Sequence, residues 1–439
     1  MGIFERLINP IVDRYIKKMF TNEYGNNPII ALTMLKKLGV KDVIEAEIRA
    51  ETGKVLSRPY GSDIKFSPWE KLLLNPRQLF MFPTPSVKEI QTKVVIGKRC
   101  KKPLVLDMPI MLTGMSYGGS LSSSISIALA KSSSLAGTCC NTGESTLMKE
   151  VRKYGNKVIG QFNRADLMKE NDLKKLDAIE IQLGQGAWGG AVESITYSYD
   201  IDEKIREDWG LKEGEDRLFK ARMKDIQNAE DLRKMVRKFK NNYDVPIGVK
   251  IASTDFIEKE LDVITSTECD YIVIDGCEGG TANSAPTLED HLGLPTLYAL
   301  MRTVKYLEEH KIRDKFDLII AGGLTNPGIF LKALALGANA VYIGSIALMA
   351  AVHNQVTKTL PDVPPTQLIL NNGTFKDKLD IEEAAKSLAN FLLSCNEEMK
   401  LALQAMSKKN IEELSKEDLV SLDKEISDYF EINYVFRKK

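Results

Sequence analysis

The chain has 439 residues, 44% of them hydrophobic and 27% charged, which is the composition of an ordinary soluble globular protein. Sixty basic residues balance sixty acidic ones, so no overall electric field favours nucleic acid or another highly charged partner. Six scattered cysteines without a C-x-x-C pair indicate reduced thiols in a cytoplasmic protein. No apolar run approaches the roughly 18 residues of a membrane-spanning helix, and no signal peptide is predicted.

Residues 1–20 place apolar side chains at helical spacing with basic residues between them, so an amphipathic helix is predicted there. Such a stripe could lie on an anionic membrane surface, but the segment also contains acidic residues. Packing against protein, either the rest of the chain or another copy in a homo-oligomer, is the favoured interpretation. Residues 21–108 contain several prolines and are predicted to form an irregular extension that wraps the following domain.

From Pro109 onward, short apolar runs alternate with segments of helical periodicity. The predicted strands are Ile110–Thr113, Thr138–Asn141, Lys157–Gln161, Ala178–Gln182, Ile247–Ile251, Tyr271–Asp275, Leu318–Ala321 and Ala340–Ile343. The predicted helices are Ser122–Ser134, Ser145–Tyr154, Ala165–Leu173, Ala229–Asn241, Phe256–Thr265, Thr296–His310 and Pro327–Leu336. This alternation predicts an α/β fold in which eight parallel strands close into a TIM (β/α)8 barrel of about 250 residues.

Three parts are expected: an N-terminal helix and wrapping extension over 1–108, the barrel over 109–358, and a C-terminal helical appendage over 359–439. Prolines after Leu360 mark the start of the appendage, and Asp380 predicts the N-cap of its main helix. A polar insert from Gly184 to Leu218 follows the fourth strand, on the predicted catalytic face. Its length suggests substrate recognition or a lid.

Small residues end the last two predicted strands, where they allow a ligand to touch main chain. The seventh strand runs into Gly322 and Gly323, and the eighth runs into Gly344 and Ser345 at the start of another helix. The loops after strands seven and eight, with a helix N-terminus, are the usual phosphate site of this barrel.

Other strand ends carry residues suited to a heterocyclic ligand. Gly114, Met115 and Ser116 after strand one would let a flat ring lie on main chain, although a plain barrel turn explains them equally well. Asn141 after strand two could read polar ring edges or cap the next helix. Neutral amides follow strand four, at Gln182 and Gln185, where ligand binding and ordinary loop hydrogen bonding are equally acceptable interpretations.

Lys250 is the most informative single residue, because a lone lysine in an apolar strand must direct its ammonium out of the barrel core. It is a catalytic candidate that could stabilise negative charge or hold a carboxylate, and a structural ion pair is the alternative. After strand six, Glu278 is a candidate acid or base, and Gly279, Gly280 and Thr281 permit close approach of a ligand. With only three histidines in the chain, no metal site is predicted.

Together these motifs resemble, in order, the FMN-binding synthase domain of glutamate synthase. The matching stretches over residues 105–355 are Gly114-Met115-Ser116-Tyr117-Gly118, Asn141-Thr142-Gly143-Glu144, Gln185-Gly186-Ala187, Val249-Lys250, Asp275-Gly276, Gly279-Gly280-Thr281, Gly322-Gly323-Leu324 and Gly344. The resemblance implies FMN as cofactor and hydride transfer from reduced flavin to an imino acid or related small carboxylate. It also implies a position for each motif: Gly114 to Ser116 beneath the flavin ring, Lys250 and Gln185 at flavin or substrate, and Gly322, Gly323 and Gly344 at the phosphate.

The chain departs from the family pattern in three places. No glutaminase segment precedes the barrel, the iron–sulfur cysteines after strand eight are missing from 347–353, and the family's Gly-Ala-Lys-Pro-Gly loop reads Gly186-Ala187-Trp188-Gly189-Gly190. We therefore expect a separate subunit or donor to supply electrons or ammonia, and 2-oxoglutarate is not implied as substrate. Two alternatives are a flavin-dependent isomerase like type 2 isopentenyl diphosphate isomerase, which shares the Gly-Gly-Thr segment, and a non-catalytic barrel serving as a scaffold.

Overall fold

A computed structural model describes residues 3–23, 27 and 29–436. The chain divides into two compact units, Met1–Ser57 and Arg58–Lys439. The first unit is helical, and the second holds an eight-stranded parallel sheet with its covering helices. The three-part division at residues 108 and 358 stays a prediction. Among the residues described, no helix is long and apolar enough to cross a membrane.

The first unit contains helices α1 (Ile3–Thr21), α2 (Ile30–Leu38) and α3 (Val40–Thr52). The predicted N-terminal helix is confirmed over its described residues. The irregular extension predicted from residue 21 is wrong for α2 and α3, because the prolines of this segment, apart from Pro28, lie after α3. Val40, Ile44 and Ile48 keep the four-residue spacing of a helix face.

Over its described residues 58–436, the second unit contains fifteen strands, and eight of them form the central sheet. The strands are β1 (Leu72–Leu74), β2 (Val94–Ile96), β3 (Leu104–Leu106), β4 (Ile110–Leu112), β5 (Cys140–Asn141), β6 (Val158–Phe162), β7 (Ala178–Gln182), β8 (Ser194–Thr196), β9 (Arg217–Phe219), β10 (Ile247–Ala252), β11 (Tyr271–Asp275), β12 (Asp317–Ala321), β13 (Ala340–Ile343), β14 (Leu419–Ser421) and β15 (Asn433–Tyr434). The helices are α4 (Ser123–Leu135), α5 (Lys149–Tyr154), α6 (Glu170–Leu173), α7 (Glu203–Trp209), α8 (Ala229–Asn242), α9 (Ile257–Thr265), α10 (Pro286–His291), α11 (Thr296–Glu309), α12 (Pro327–Ala335), α13 (Ser345–Val352), α14 (Ile381–Ala405) and α15 (Lys424–Phe430).

The eight predicted barrel strands are all present, in the order β4-β13-β12-β11-β10-β7-β6-β5. Parallel pairing runs through the sheet, and a single parallel bridge between Gly114 and Asn141 joins its two edges. The amide of Leu112 also donates to the carbonyl of Cys139 at 3.2 Å across this seam. The predicted TIM barrel fold is therefore confirmed.

Burial explains why these strands could be read from sequence. Strands β7, β10, β11 and β13 are buried at every residue, because one face packs in the barrel interior and the other faces the helix layer. Short continuous apolar runs are the pattern expected of such strands. A charged side chain inside one of these strands therefore requires an ion-pair or hydrogen-bond partner.

The parts outside the barrel brace it. Helix α14 packs on α4 and α13, and the Asp380 carboxylate accepts from the Glu383 amide at 3.0 Å, as the N-cap prediction required. Strand β1 pairs with β14, so the chain before the barrel and the chain after it share a small sheet. After β7, the antiparallel pair β8 and β9 encloses helix α7.

Candidate functional site

Lys250 lies at the carboxyl end of the barrel, on β10 between β7 and β11. Its side chain is only 2% exposed, and its Nζ lies 3.0 Å from Oδ2 of Asp275 at the end of β11. Burial by itself lowers the pKa of Lys250, but the charges of Asp275 and Glu180 outweigh it and hold the pKa above its usual value. The lysine therefore stays charged within the polar cluster.

Glu180 of β7 is a second buried charge, with no exposed surface. Its Oε1 accepts from the side-chain amides of Gln161 at 2.7 Å and Asn141 at 3.1 Å, and its Oε2 accepts from the Tyr342 hydroxyl at 2.9 Å. Burial raises the pKa of Tyr342 well above its usual value, so its phenol stays protonated and donates. This satisfied network spans β5, β6, β7 and β13 within the barrel.

The Gly114 turn lies directly on these amides. A side chain at Gly114 would place its first carbon 2.7 Å from Nε2 of Gln161 and 3.1 Å from Oδ1 of Asn141. Asn141 also accepts from the Gly143 amide at 3.0 Å, and Ser116 accepts from the Glu144 amide at 2.9 Å. The structure thus brings Gly114, Ser116 and Asn141 together, with Met115 between the first two.

Gln182 and Gln185 also lie together, the Gln182 amide donating to Oε1 of Gln185 at 3.1 Å. Three residues later, the Trp188 indole donates to Oγ1 of Thr281, in the loop after β11, at 3.0 Å. Because β10 lies between β7 and β11, this bond connects loops on both sides of the strand that carries Lys250. The β7 and β11 loops therefore meet at the barrel mouth.

Arg164 is a second buried cation at this mouth, with 6% of its side chain exposed. Its Nε lies 2.9 Å from Oε1 of Glu144, and its guanidinium carbon lies 5.3 Å from the centre of the Trp188 ring. The same guanidinium donates to the carbonyls of Val192 in the insert and Lys220 just after it. Arg164 thereby ties the insert to the loops after β5 and β6.

The glycine loop after β11 lies against both the loop after β12 and the start of α13 after β13. A side chain at Gly280 would place its first carbon 2.0 Å from Oγ of Ser345, so these two predicted residues lie in contact. Gly322 and Gly323 have φ angles of +110° and +65°, and a side chain at Gly322 would lie 2.6 Å from Oγ1 of Thr296. Helix α13 begins after Gly344, whose carbonyl accepts from the amides of Ala347 and Leu348, and the amides of Ser345 and Ile346 at the helix start are suited to an anion.

Glu278 is placed differently from the other predicted site residues. Its Oε2 accepts from the amide of Thr296 at 2.7 Å, at the start of α11, and from the hydroxyl of Ser67 at 2.8 Å. Its Oε1 accepts from the amide of Ser67 at 2.7 Å. The carboxylate of Glu278 thus accepts hydrogen bonds from the N-terminus of α11 and from the segment before the barrel. The acid–base role of Glu278 stays a prediction.

The segment from Arg58 to Gly61, which precedes the barrel, crosses the loop after β11 and contains one strained residue. Arg58 pairs with Glu289 at 2.6 Å and Asp290 at 2.7 Å, and the Tyr60 amide donates to the carbonyl of Thr281 at 2.8 Å. Tyr60 has a φ of +72°, which is strained for a residue with a side chain. A side chain at Gly61 would lie 2.4 Å from the carbonyl oxygen of Gly279, so the segment sits tightly on the loop.

Sequence reasoning missed Glu180, Tyr342 and Arg164. Glu180 stands alone among apolar neighbours in its strand, which is the same signal that selected Lys250 and could have selected it. Tyr342 and Arg164 gave no comparable signal, because a tyrosine in a strand and an arginine in a loop are both ordinary.

Comparison with known proteins places the chain in a family. The family model described as the conserved region in glutamate synthase matches residues 72–409. An archaeal-type glutamate synthase [NADPH] of Thermotoga sp. (strain RQ2) is 31% identical over 417 residues, covering 90% of this chain and 81% of that protein. A glutamate synthase large subunit-like protein of Rhizobium meliloti is 29% identical, covering 88% of this chain and 91% of that protein.

Solved structures show the same fold at low sequence identity. A flavocytochrome b2 mutant with pyruvate bound superposes with a TM-score of 0.51 at 14% identity, covering 87% of this chain and 84% of that one. The monotopic membrane protein (S)-mandelate dehydrogenase superposes with a TM-score of 0.52 at 14% identity, covering 82% and 92%. The resemblance read from the sequence is thus confirmed by the family match, and the chain belongs to the glutamate synthase family.

Proposed function

We propose that this protein is an FMN-dependent oxidoreductase that transfers hydride between reduced flavin and an amino acid, imino acid or related small carboxylate. The observation that supports it best is the buried Lys250–Asp275 pair, which lies at the carboxyl ends of β10 and β11 in a family whose matched relatives are glutamate synthases. Active sites of this fold lie at that face.

The residues present fit FMN. The phosphate would bind at the start of α13 and at Gly322, Gly323, Gly344 and Ser345, in the loops after strands seven and eight that commonly hold a phosphate in this fold. The flavin ring would lie on the turn from Gly114 to Ser116, beside the amides of Asn141 and Gln161. Gln182, Gln185 and the loop from Gly279 to Thr281 would complete the cofactor site.

FMN, when bound, supplies the two-electron hydride chemistry, which no protein side chain provides. The protein contributes a fixed positive charge at Lys250, whose ammonium would stabilise negative charge that develops on flavin or substrate. Its buried ion pair keeps that charge in place without reorganisation. Glu278 is retained as a candidate acid or base, but its bonds to Ser67 and Thr296 make it the weaker catalytic assignment.

The electron donor is proposed to be a separate protein or a diffusible reductant. NADPH appears in the names of the archaeal-type relatives, so it is the first donor to test. No group of three or more candidate metal ligands occurs within the described part of the chain, and none is required by this proposal.

The test begins with purification of the full chain and addition of FMN. We expect a yellow protein with bound flavin, bleached anaerobically by a donor and recoloured by the correct oxo or imino acid. A protein that stays colourless and retains no FMN would sink the proposal. Flavin that binds but shows no net change of redox state with any donor and substrate would favour the isomerase alternative.

A matched pair of variants tests the lysine. Lys250 and Lys240 each pair with an aspartate flanking β11, Lys250 with Asp275 at its carboxyl end and Lys240 with Asp270 at its amino end. Lys250→Met should slow flavin reduction or reoxidation by about 100-fold or more, by analogy with loss of one preorganised charge. Lys240→Met removes a similar pair away from the site, and FMN chemistry should be unchanged.

A further inference from the structure

Residues 79–82 form an apolar loop that protrudes from the protein surface. Leu79, Phe80 and Phe82 are 83%, 95% and 70% exposed, and Met81 is 44% exposed. Large apolar side chains scattered singly over a surface are ordinary, whereas a contiguous group of them marks a binding surface. An exposed fraction of 95% means that the Phe80 residue touches almost nothing else in the protein. The apolar loop is therefore typical of a surface that binds a partner.

Both ends of the apolar loop are fixed to the C-terminal end of α14. The amide of Arg77 donates to the carbonyl of Ala405 at 2.8 Å, and the amide of Thr84 donates to the carbonyl of Gln404 at 3.0 Å. The hydroxyl of Thr84 also donates to the carbonyl of Lys408 at 2.8 Å. Because both ends are held, the fold itself presents the four apolar side chains to solvent.

The apolar loop and its attachment to α14 carry only positive charges. Residues 71–88 and 400–409 contain six basic residues and no acidic one, the six being Lys71, Arg77, Lys88, Lys400, Lys408 and Lys409. Four of the six are paired with only three carboxylates, those of Asp418, Glu397 and Glu89, because Arg77 and Lys408 share Asp418. Lys71 and Lys88 are exposed, and neither forms an ion pair with any residue that the structure describes. Positive charge therefore predominates in these segments.

An anionic membrane surface fits these properties better than a second copy of the chain. A covered aromatic side chain buries about 150 to 250 Å², so the four exposed side chains offer about 600 Å², less than the roughly 800 Å² that each partner contributes to a stable interface. In a symmetric dimer the positive charges would face the same charges on the second copy. Anionic headgroups instead attract them, at about 1 kcal/mol for each Lys or Arg near the surface.

We propose that residues 79–82 insert into the boundary between headgroups and acyl chains of an anionic membrane. The four apolar side chains enter the hydrocarbon, and the ammonium groups of Lys71 and Lys88 contact the headgroups. The loop reaches only this boundary, since a membrane-spanning helix needs about 20 apolar residues. Membrane docking by this loop requires no property of the flavin site, so it is independent of the proposed function.

Cosedimentation of the full chain with lipid vesicles tests the proposal. The vesicles contain either phosphatidylcholine alone or an equal mixture of phosphatidylcholine and phosphatidylglycerol. We expect the chain to bind the mixed vesicles at least about tenfold more tightly, and added salt should weaken this binding. No binding to the mixed vesicles, or equal binding to both kinds, overturns the proposal.

A matched pair of phenylalanine variants tests whether the apolar loop makes the contact. Phe80→Ser removes one ring from the loop and should weaken binding to the mixed vesicles at least about tenfold. Phe256→Ser is the control, because Phe256 is 62% exposed at the N-cap of α9, and this variant should bind as the parent does. An unchanged affinity in Phe80→Ser, or equal losses in both variants, overturns the proposal.

A third variant, Phe80→Trp, distinguishes the loop from α1, which also has exposed apolar side chains. Mixed vesicles with brominated acyl chains should quench the added indole, beyond any quenching of the three tryptophans of the parent. Vesicle binding without this extra quenching places the contact elsewhere and overturns the proposal. Sedimentation velocity of the parent and of Phe80→Ser tests the other occupant, since an oligomer that Phe80→Ser dissociates would assign the loop to a second copy and overturn the proposal.

Discussion

Replacing Asp275 by asparagine should destabilise the barrel strongly, because it leaves the Lys250 ammonium in a nearly dry site. The Lys250 and Asp275 side chains are 2% and 10% exposed, and their charged atoms lie 3.0 Å apart. Removing one partner of such a buried pair costs about 3 to 5 kcal/mol. The loss should appear as a lower free energy of unfolding in urea.

An exposed pair provides the matched control. Asp255 lies 2.7 Å from Arg302, but its side chain is 81% exposed, so water already solvates the charge. Asp255→Asn should therefore cost less than about 1 kcal/mol. The bond at the control site is the shorter one, so burial and not distance is the variable that the comparison isolates.

Tryptophan fluorescence is the suitable assay, because Trp69, Trp188 and Trp209 all lie in the unit Arg58–Lys439 and report on its unfolding alone. A loss below about 1 kcal/mol in Asp275→Asn, or equal losses in both variants, would refute the reasoning that burial makes this pair costly to break. Adding Lys250→Met to Asp275→Asn should recover part of the loss, because no uncompensated charge then remains.

Three further outcomes follow from the same contacts. The pKa of Lys250 is held above its usual 10.5, so its contribution to stability is complete below that pH and is lost as pH rises through the raised value. Urea unfolding measured from about pH 9 upward should show no loss of this contribution up to about pH 10 and a decline above it. Gly186→Ala should lower the free energy of unfolding by more than about 2 kcal/mol, because the added side chain would lie 1.8 Å from the Gly276 carbonyl oxygen. The control is Gly119→Ala, whose added side chain would have its nearest neighbour 3.7 Å away, and this variant should unfold in urea much as the parent does. Burial raises the pKa of Cys100 to about 12, so a thiol reagent at about pH 8 should modify this half-buried cysteine much more slowly in the native protein than in urea.

Local sequence was sufficient for the barrel, because parallel strands buried on both faces must be short apolar runs. It also drew attention to the carboxyl ends of the strands, where Lys250 and the glycine turns are conspicuous. The partners of those residues could not be read in the same way. Asp275 was visible as a strand end, but its pairing with Lys250 depends on the neighbouring positions of β10 and β11 in the closed sheet.

Contacts between distant parts of the chain were the main omission. Glu278 looked like a free carboxylate beside a glycine loop, yet its oxygens accept from Ser67, which lies more than two hundred positions earlier. The Arg58 ion pairs cross a similar distance. No local pattern predicts such bonds, since each residue type is ordinary where it stands and only the folded arrangement makes them neighbours.

The seam that closes the barrel has a thermodynamic consequence. Strand β5 has only two residues, and the bridge between Gly114 and Asn141 replaces a continuous ladder there. A ligand that contacts both residues would stabilise the closure of the barrel between β4 and β5, where the strands share the fewest hydrogen bonds. Its binding energy should therefore appear as slower exchange with solvent deuterium of the Leu112 amide, which donates to the Cys139 carbonyl across this seam.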